Sequence, residues 1–215
     1  MSQAAPNPIA DLIARLADNK YLLGRRFSEW TSRAPALEAA VAAAAMTQDE
    51  LGHARSLYAA LQSVPDSPEA YLKEEKRERL LGSPALELPF KHWAEFVAAA
   101  ALFDRALTLV FEAARGSRYE PLRQRAAKIL QEEWFHRQYG EGWLKRMAAG
   151  PKTRGAMQDS VNRLWTPTAD WLGSSDNGAL TADGVLAESA EALRQRWTAE
   201  MTALMASCGL VAAHG

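Results

Sequence analysis

A chain of 215 residues, 48% hydrophobic and 24% charged, can bury a sizeable core as one soluble domain. Its formal net charge of -1 offers no basic field for nucleic acid and no polybasic patch for a membrane surface. Cys208, the single cysteine, excludes a disulfide framework and a cysteine metal cluster, which suits a reducing cytoplasm.

The opening string "MSQAAPNPIADLIARLADNK" lacks a basic n-region, and Asp11 and Arg15 interrupt its apolar run. Neither a signal peptide nor a membrane span is expected. Segments rich in Ala, Leu, Glu and Arg then follow, separated by prolines and glycines, and predict an all-α fold. The segments run over 8–31, 35–62, 90–115, 121–148, 153–172 and 186–207, with Pro35 and Pro121 each suited to a first helical turn. The strings "SVPDSPEA" and "LGSPALELP" read as loops, and the intervening part of 63–89 as a short charged helix. The mixed charges of "KEEKRER" belong to a solvated face.

Each of the first four helices carries a buried stripe at alternating steps of three and four. The first reads Ile9, Ile13, Leu16, Lys20, Leu23, Phe27, Trp30, and the second Ala43, Met46, Glu50, His53, Leu57. The third reads Trp93, Val97, Ala100, Asp104, Leu107, Phe111, and the fourth Leu122, Ala126, Ile129, Glu133, His136, Gly140, Trp143. An ionisable group interrupts every stripe near its middle. A four-helix bundle, with two further helices packed outside it, therefore gathers Lys20, Glu50, His53, Asp104, Glu133 and His136 at one level of its core.

Positions three apart lie on one helical face about 5 Å from each other, so a carboxylate and an imidazole so spaced reach the same ion. An isolated pair of this kind is usually a local surface interaction. Here two of the four histidines carry the spacing, Glu50 with His53 and Glu133 with His136, which points to a metal site, present or ancestral. Ferritin-like di-iron carboxylate proteins use one carboxylate from each of two helices and a Glu-x-x-His from each of the other two. Asp104 fits one of the lone carboxylate positions, but a lysine ammonium, Lys20, stands at the other. Glu29 is the alternative first-helix ligand, although it lies off the stripe beside Trp30. His92 and His214 receive no role, and the seven tryptophans read as packing residues.

The strings "LADNKYLLGRRFSEW", "MTQDELGHARSLY", "YEPLRQRAAKILQEEWFH" and "LWTPTADWL" resemble the PaaA/PaaC family of phenylacetyl-CoA epoxidase subunits across nearly the whole chain. The resemblance implies a ferritin-like bundle within a multicomponent bacterial oxygenase. There an A-type subunit holds the di-iron centre and binds the CoA thioester, a C-type subunit of similar fold is structural, and a separate reductase supplies electrons. The segments "LADN", "DELG" and "LW..T..WL" look C-type, whereas Glu50, His53, Asp104, Glu133 and His136 match the A-type ligand pattern. Lys20 cannot ligate while protonated and offsets charge that two irons would otherwise neutralise. Five ligands then remain for two metals, which leaves a mononuclear or distorted iron site open.

Two functions follow as expectations. One is a structural subunit of an epoxidase complex with a degenerate di-iron site, partnered by an A-type catalytic paralogue and the other components. The other is an autonomous iron carboxylate oxidase. Homodimerisation is the fallback mode of association, and "LWTPTADWL" is expected to add apolar surface for a partner.

Overall fold

The computed structural model describes residues 7–65, 80–173 and 178–212, and every regular element among them is helical. Helix α1 spans Pro8–Ser28, with Pro8 in its first turn and the Asn7 side chain accepting from the Ile9 amide. Helix α2 spans Leu37–Leu61, so Pro35 precedes the helix and does not open it. Helix α3 has three consecutive pieces, Trp93–Ala98, a π-helical turn Ala99–Phe103, and Asp104–Ala113. Helix α4 spans Glu120–Ala149 with Pro121 in its first turn. Helix α5 spans Arg154–Gly173 around an internal Pro167, α6 is the short Gly178–Ala182, and α7 spans Ala190–Ser207 behind a Ser189 cap. The charged helix expected within 63–89 falls largely on residues outside those described. Pro84–Leu86 forms a single 3-10 turn.

Contacts between named residues fix the topology. Asn7 bonds to Pro65 and Lys20 to Glu50, so α1 and α2 are antiparallel. Lys20 reaches Asp104 while Phe27 packs on Phe96, so α1 and α3 are antiparallel too. His53 meets Glu132 and Asp49 meets His136, which makes α2 and α4 antiparallel. Helices α2 and α3 therefore run parallel, and the chain between them crosses the length of the bundle. This is the ferritin-like connection, with one long crossover in place of a short loop. The stripes read from sequence all point inward. Of their residues only Ile9 and Trp143 are partly exposed rather than buried.

Helices α5 and α7 pack on the α3 side. Trp165 lies 4.9 Å from Trp197 and Trp171 lies 5.4 Å from Phe103, ring to ring. Arg105 forms ion pairs with Glu112 and Glu200. The expectation that "LWTPTADWL" adds partner surface is thereby corrected. Trp165, Trp171 and Leu172 are buried within this chain because α5 lays that face on α3 and α7.

The π-helical turn was not foreseen, since a one-residue change of winding leaves the apolar spacing on either side readable. It delivers Asp104 to the core directly after it. Two contacts hold it: the Trp197 indole N–H donates to the Leu102 carbonyl at 2.9 Å, and Gly140 of α4 lies against its backbone. A Cβ at Gly140 would meet the Ala100 carbonyl carbon at 2.9 Å and its oxygen at 3.0 Å. Neither atom can move without shifting the turn. Gly140→Ala is therefore expected to destabilise the fold by about 1–3 kcal/mol. Gly142→Ala, whose Cβ meets nothing within 4 Å, is the control, and urea denaturation of both variants checks the contrast.

Candidate metal centre

Four helices deliver the charged cluster to one level because each places its ionisable residue midway along a buried stripe. The Lys20 Nζ lies at its centre, 3.0 Å from Glu50 Oε1, 2.7 Å from Asp104 Oδ1 and 2.7 Å from Glu133 Oε1. The Lys20 side chain is fully buried, as is that of Glu50. Three ammonium hydrogens thus meet three carboxylates, which satisfies every donor that a lysine has.

The histidines complete the cluster from α2 and α4. His136 Nδ1 lies 3.1 Å from Asp104 Oδ2 and 3.2 Å from Glu50 Oε1, while its Nε2 faces Asp49 Oδ2 at 3.2 Å. His53 Nδ1 lies 3.3 Å from Glu133 Oε1, and its Nε2 sits 2.5 Å from Glu132 Oε2. Thr108 donates to Glu133 Oε2 at 3.0 Å. Each imidazole therefore bridges a buried carboxylate and a half-exposed one. The bridging is reciprocal, because the acid before Glu50 holds the histidine of α4, and the acid before Glu133 holds the histidine of α2.

Asp49 and Glu132 escaped the sequence reading, which followed only the buried stripes. A signal was present in that an acid directly precedes the glutamate of both Glu-x-x-His pairs, in "DELGH" and "EEWFH". Glu29, the alternative ligand, is absent from the cluster. It pairs with Arg26 at 2.9 Å near the end of α1. His92 lies before α3 within 3.8 Å of Glu95, and His214 is outside the described residues.

Charge balance follows from these contacts. Burial opposes the Lys20 ammonium, yet Asp104, Glu133 and Glu50 together hold its pKa well above the usual lysine value. Burial also opposes a charged His136, but its bonds to Asp104, Asp49 and Glu50 raise it far above the ordinary imidazole range. His53 is raised too, as the bond to Glu133 works against burial and the Lys20 charge. Burial and repulsion from Asp104 push Glu50 up to about 7 against the pull of Lys20. Glu133 goes the other way: despite burial, Lys20 and the His53 bond hold it well below the usual carboxylate value.

These directions give a pH dependence. The contribution of the two histidines is fully present below the imidazole value of 6.5 and is lost as pH rises toward their raised folded values. Glu50 adds to that loss between 4.5 and about 7, whereas the contribution of Glu133 is present above 4.5 and lost as pH falls below it. Stability should peak on the acid side of neutrality and fall toward pH 9, with a slope of at most about 1.4 kcal/mol per pH unit for each proton taken up on folding. Urea denaturation at intervals from pH 5 to 9 checks this. A flat profile would contradict charged imidazoles.

Glu50, Asp104, Glu133 and His136 each bring a ligand atom within 4.8 Å of the others, so the cluster can hold a metal ion in principle. A pair of irons does not fit the residues present. Lys20 replaces the first-helix carboxylate, and its ammonium touches one oxygen of each carboxylate that two ions would have to share. An added cation there meets the positive charge of Lys20 at close range in a buried site, where repulsion is weakly screened. Glu50 Oε2 alone among the carboxylate oxygens of this cluster is buried without a hydrogen-bond partner.

A family model described as "Phenylacetic acid catabolic protein" (PaaA_PaaC) matches residues 1–214. The chain is 30% identical over 200 residues to the C subunit of 1,2-phenylacetyl-CoA epoxidase from Escherichia coli (strain K12), covering 92% of this chain and 81% of that protein. It is 29% identical over 151 residues to the A subunit of the same enzyme from the same organism, covering 70% of this chain and 49% of that one. With the family model matched over residues 1–214 and the interrupted helical stripes meeting in one core layer, the chain belongs to the PaaA/PaaC family of phenylacetic acid catabolic proteins.

Proposed function

We propose that this chain, folded as one ferritin-like domain in the cytoplasm, is a non-catalytic structural subunit of a phenylacetyl-CoA epoxidase-type oxygenase. One observation carries the reading: the Lys20 ammonium stands among Glu50, Asp104 and Glu133, where a di-iron protein concentrates its metal charge. Lys20, His53 and His136 neutralise the buried carboxylates from within the chain, so the bundle is complete without iron. Its role is then to hold an A-type catalytic paralogue by helical packing, while that paralogue performs the chemistry with electrons from a reductase.

A second reading, an autonomous iron oxidase, is favoured by the cluster of four ligand residues that survives around Lys20. Reconstitution separates the two. The chain with a reductase and phenylacetyl-CoA should show no turnover, and its addition to an A-type paralogue should raise that partner's soluble yield and activity. Turnover by this chain alone, without an A-type paralogue, would overturn the structural reading.

A further inference from the structure

The π-helical turn decides where Asp104 points. On α1, Lys20 and Phe27 lie seven residues apart, which in α winding leaves them on one face within about 20° of each other. Their partners on α3, Asp104 and Phe96, lie eight apart. Asp104 Oδ1 is 2.7 Å from Lys20 Nζ, and the rings of Phe96 and Phe27 are 4.6 Å apart. Eight residues of unbroken α-helix would turn Asp104 about 80° away from the Phe96 face. The turn at Ala99–Phe103 absorbs the extra residue, so both side chains face α1. The Asp104 N–H accordingly donates to the Ala99 carbonyl, five residues back, in place of the Ala100 carbonyl that α winding would give it.

Backbone bonding alone does not pin such a turn to one place. Sliding it toward the C-terminus converts one i→i+5 bond to i→i+4 for each new i→i+5 bond formed. Once past Asp104, it would leave that carboxylate about 80° off Lys20 while the flanking helix stayed in phase. Gly140 of α4 packs on the N-terminal half of the turn, at Ala100, and α7 holds the end next to Asp104. Trp197 and Glu200, three apart and so on one face of α7, grip Leu102 and Arg105, which bracket Phe103 and Asp104. The Trp197 indole N–H donates to the Leu102 carbonyl at 2.9 Å. Arg105 donates to both Glu200 oxygens, from Nε at 2.8 Å and from Nη2 at 3.0 Å. Both Trp197 and Arg105 are buried. The paired bonds fix the direction of Arg105, and Asp104, about 100° round the helix from it, is thereby aimed at α1.

We infer that Trp197 and Glu200 are positioning residues, which hold the π-helical turn ahead of Asp104 and so keep its carboxylate on Lys20; α7 is thus a lever on the charged core. With the α7 bonds made, Asp104 meets Lys20 and His136. With them removed, the turn slides past Asp104 and the carboxylate leaves the ammonium. The device belongs to the lone chain and stands whether or not the epoxidase reading holds.

The Lys20 ammonium reports the outcome. Its three hydrogens meet three carboxylates in a fully buried site, so they exchange slowly with water and give a nitrogen-correlated NMR signal. Trp197→Phe combined with Glu200→Gln keeps an aromatic ring and the side-chain length but removes the indole donor and the ionic fork. It should speed that exchange by about tenfold or more, the effect of losing one charge-assisted bond. Its crystal structure should show the turn displaced from Ala99–Phe103 and Asp104 out of hydrogen-bond reach of Lys20. Trp165→Phe, which loosens the packing on Trp197 from α5, should leave both unchanged. If the paired variant does not fold, Trp197→Phe alone decides by the same two readouts. An unaltered Lys20 signal with Asp104 still in place would overturn the proposal, because the cluster would then hold Asp104 unaided. So would a Trp165→Phe variant that speeds the exchange equally, because packing rather than the α7 bonds would be responsible.

Discussion

Lys20→Ala should destabilise the protein by about 3–5 kcal/mol, the usual consequence of removing one partner from a buried ionic network. The magnitude follows from what remains behind. Glu50, Asp104 and Glu133 would face one another in a dry core with only His53 and His136 to compensate them. An exposed lysine pair would lose about 1 kcal/mol at most. Lys20→Met, which keeps much of the side-chain volume, separates the charge from the packing, and it should lose nearly as much as the alanine variant. Thermal and urea denaturation at pH 7 measure both. A loss near that of an exposed pair would show that the carboxylates rearrange or protonate without penalty.

Lys20→Glu should reverse the preference of the site. It supplies the missing first-helix carboxylate, giving four carboxylates with two histidines, the ligand set of the ferritin-like di-iron class. The metal-free variant should be less stable than wild type, because a fourth carboxylate joins three others with no ammonium among them. Ferrous iron should recover that loss, since an ion that binds only the folded state stabilises it by mass action. Iron stoichiometry by plasma emission, and thermal midpoint with and without ferrous iron, are the measurements. A variant no better than wild type at retaining iron would mean that the four carboxylates cannot take up metal geometry.

Much of this was legible in the sequence because a four-helix bundle writes its core as a period. Lys20, Glu50, Asp104 and Glu133 each replace an apolar residue in a stripe, and the fold brings the four stripes together. Three features were not legible. The π-helical turn before Asp104 changes the winding locally, but residues 93–111 are buried on every side, so residue spacing alone does not show it. The reciprocal bonds of Asp49 and Glu132 lie between helices, off the stripe that defines burial, and a one-dimensional pattern does not reveal which facing helix a residue meets. The tryptophans of "LWTPTADWL" look like partner surface until α7 is placed against them, whereas Trp134 and Phe135, inside the strongest metal motif, prove to be the exposed pair.

In the proposed reading, Lys20 supplies the charge that metal supplies elsewhere in this architecture. Iron content of the wild-type chain, purified without oxygen, incubated with excess ferrous iron and desalted, tests it most directly. Far less than one iron per chain is expected, with a thermal midpoint that added iron leaves unchanged. Two irons retained per chain with Lys20 intact, together with a midpoint raised by iron, would contradict it.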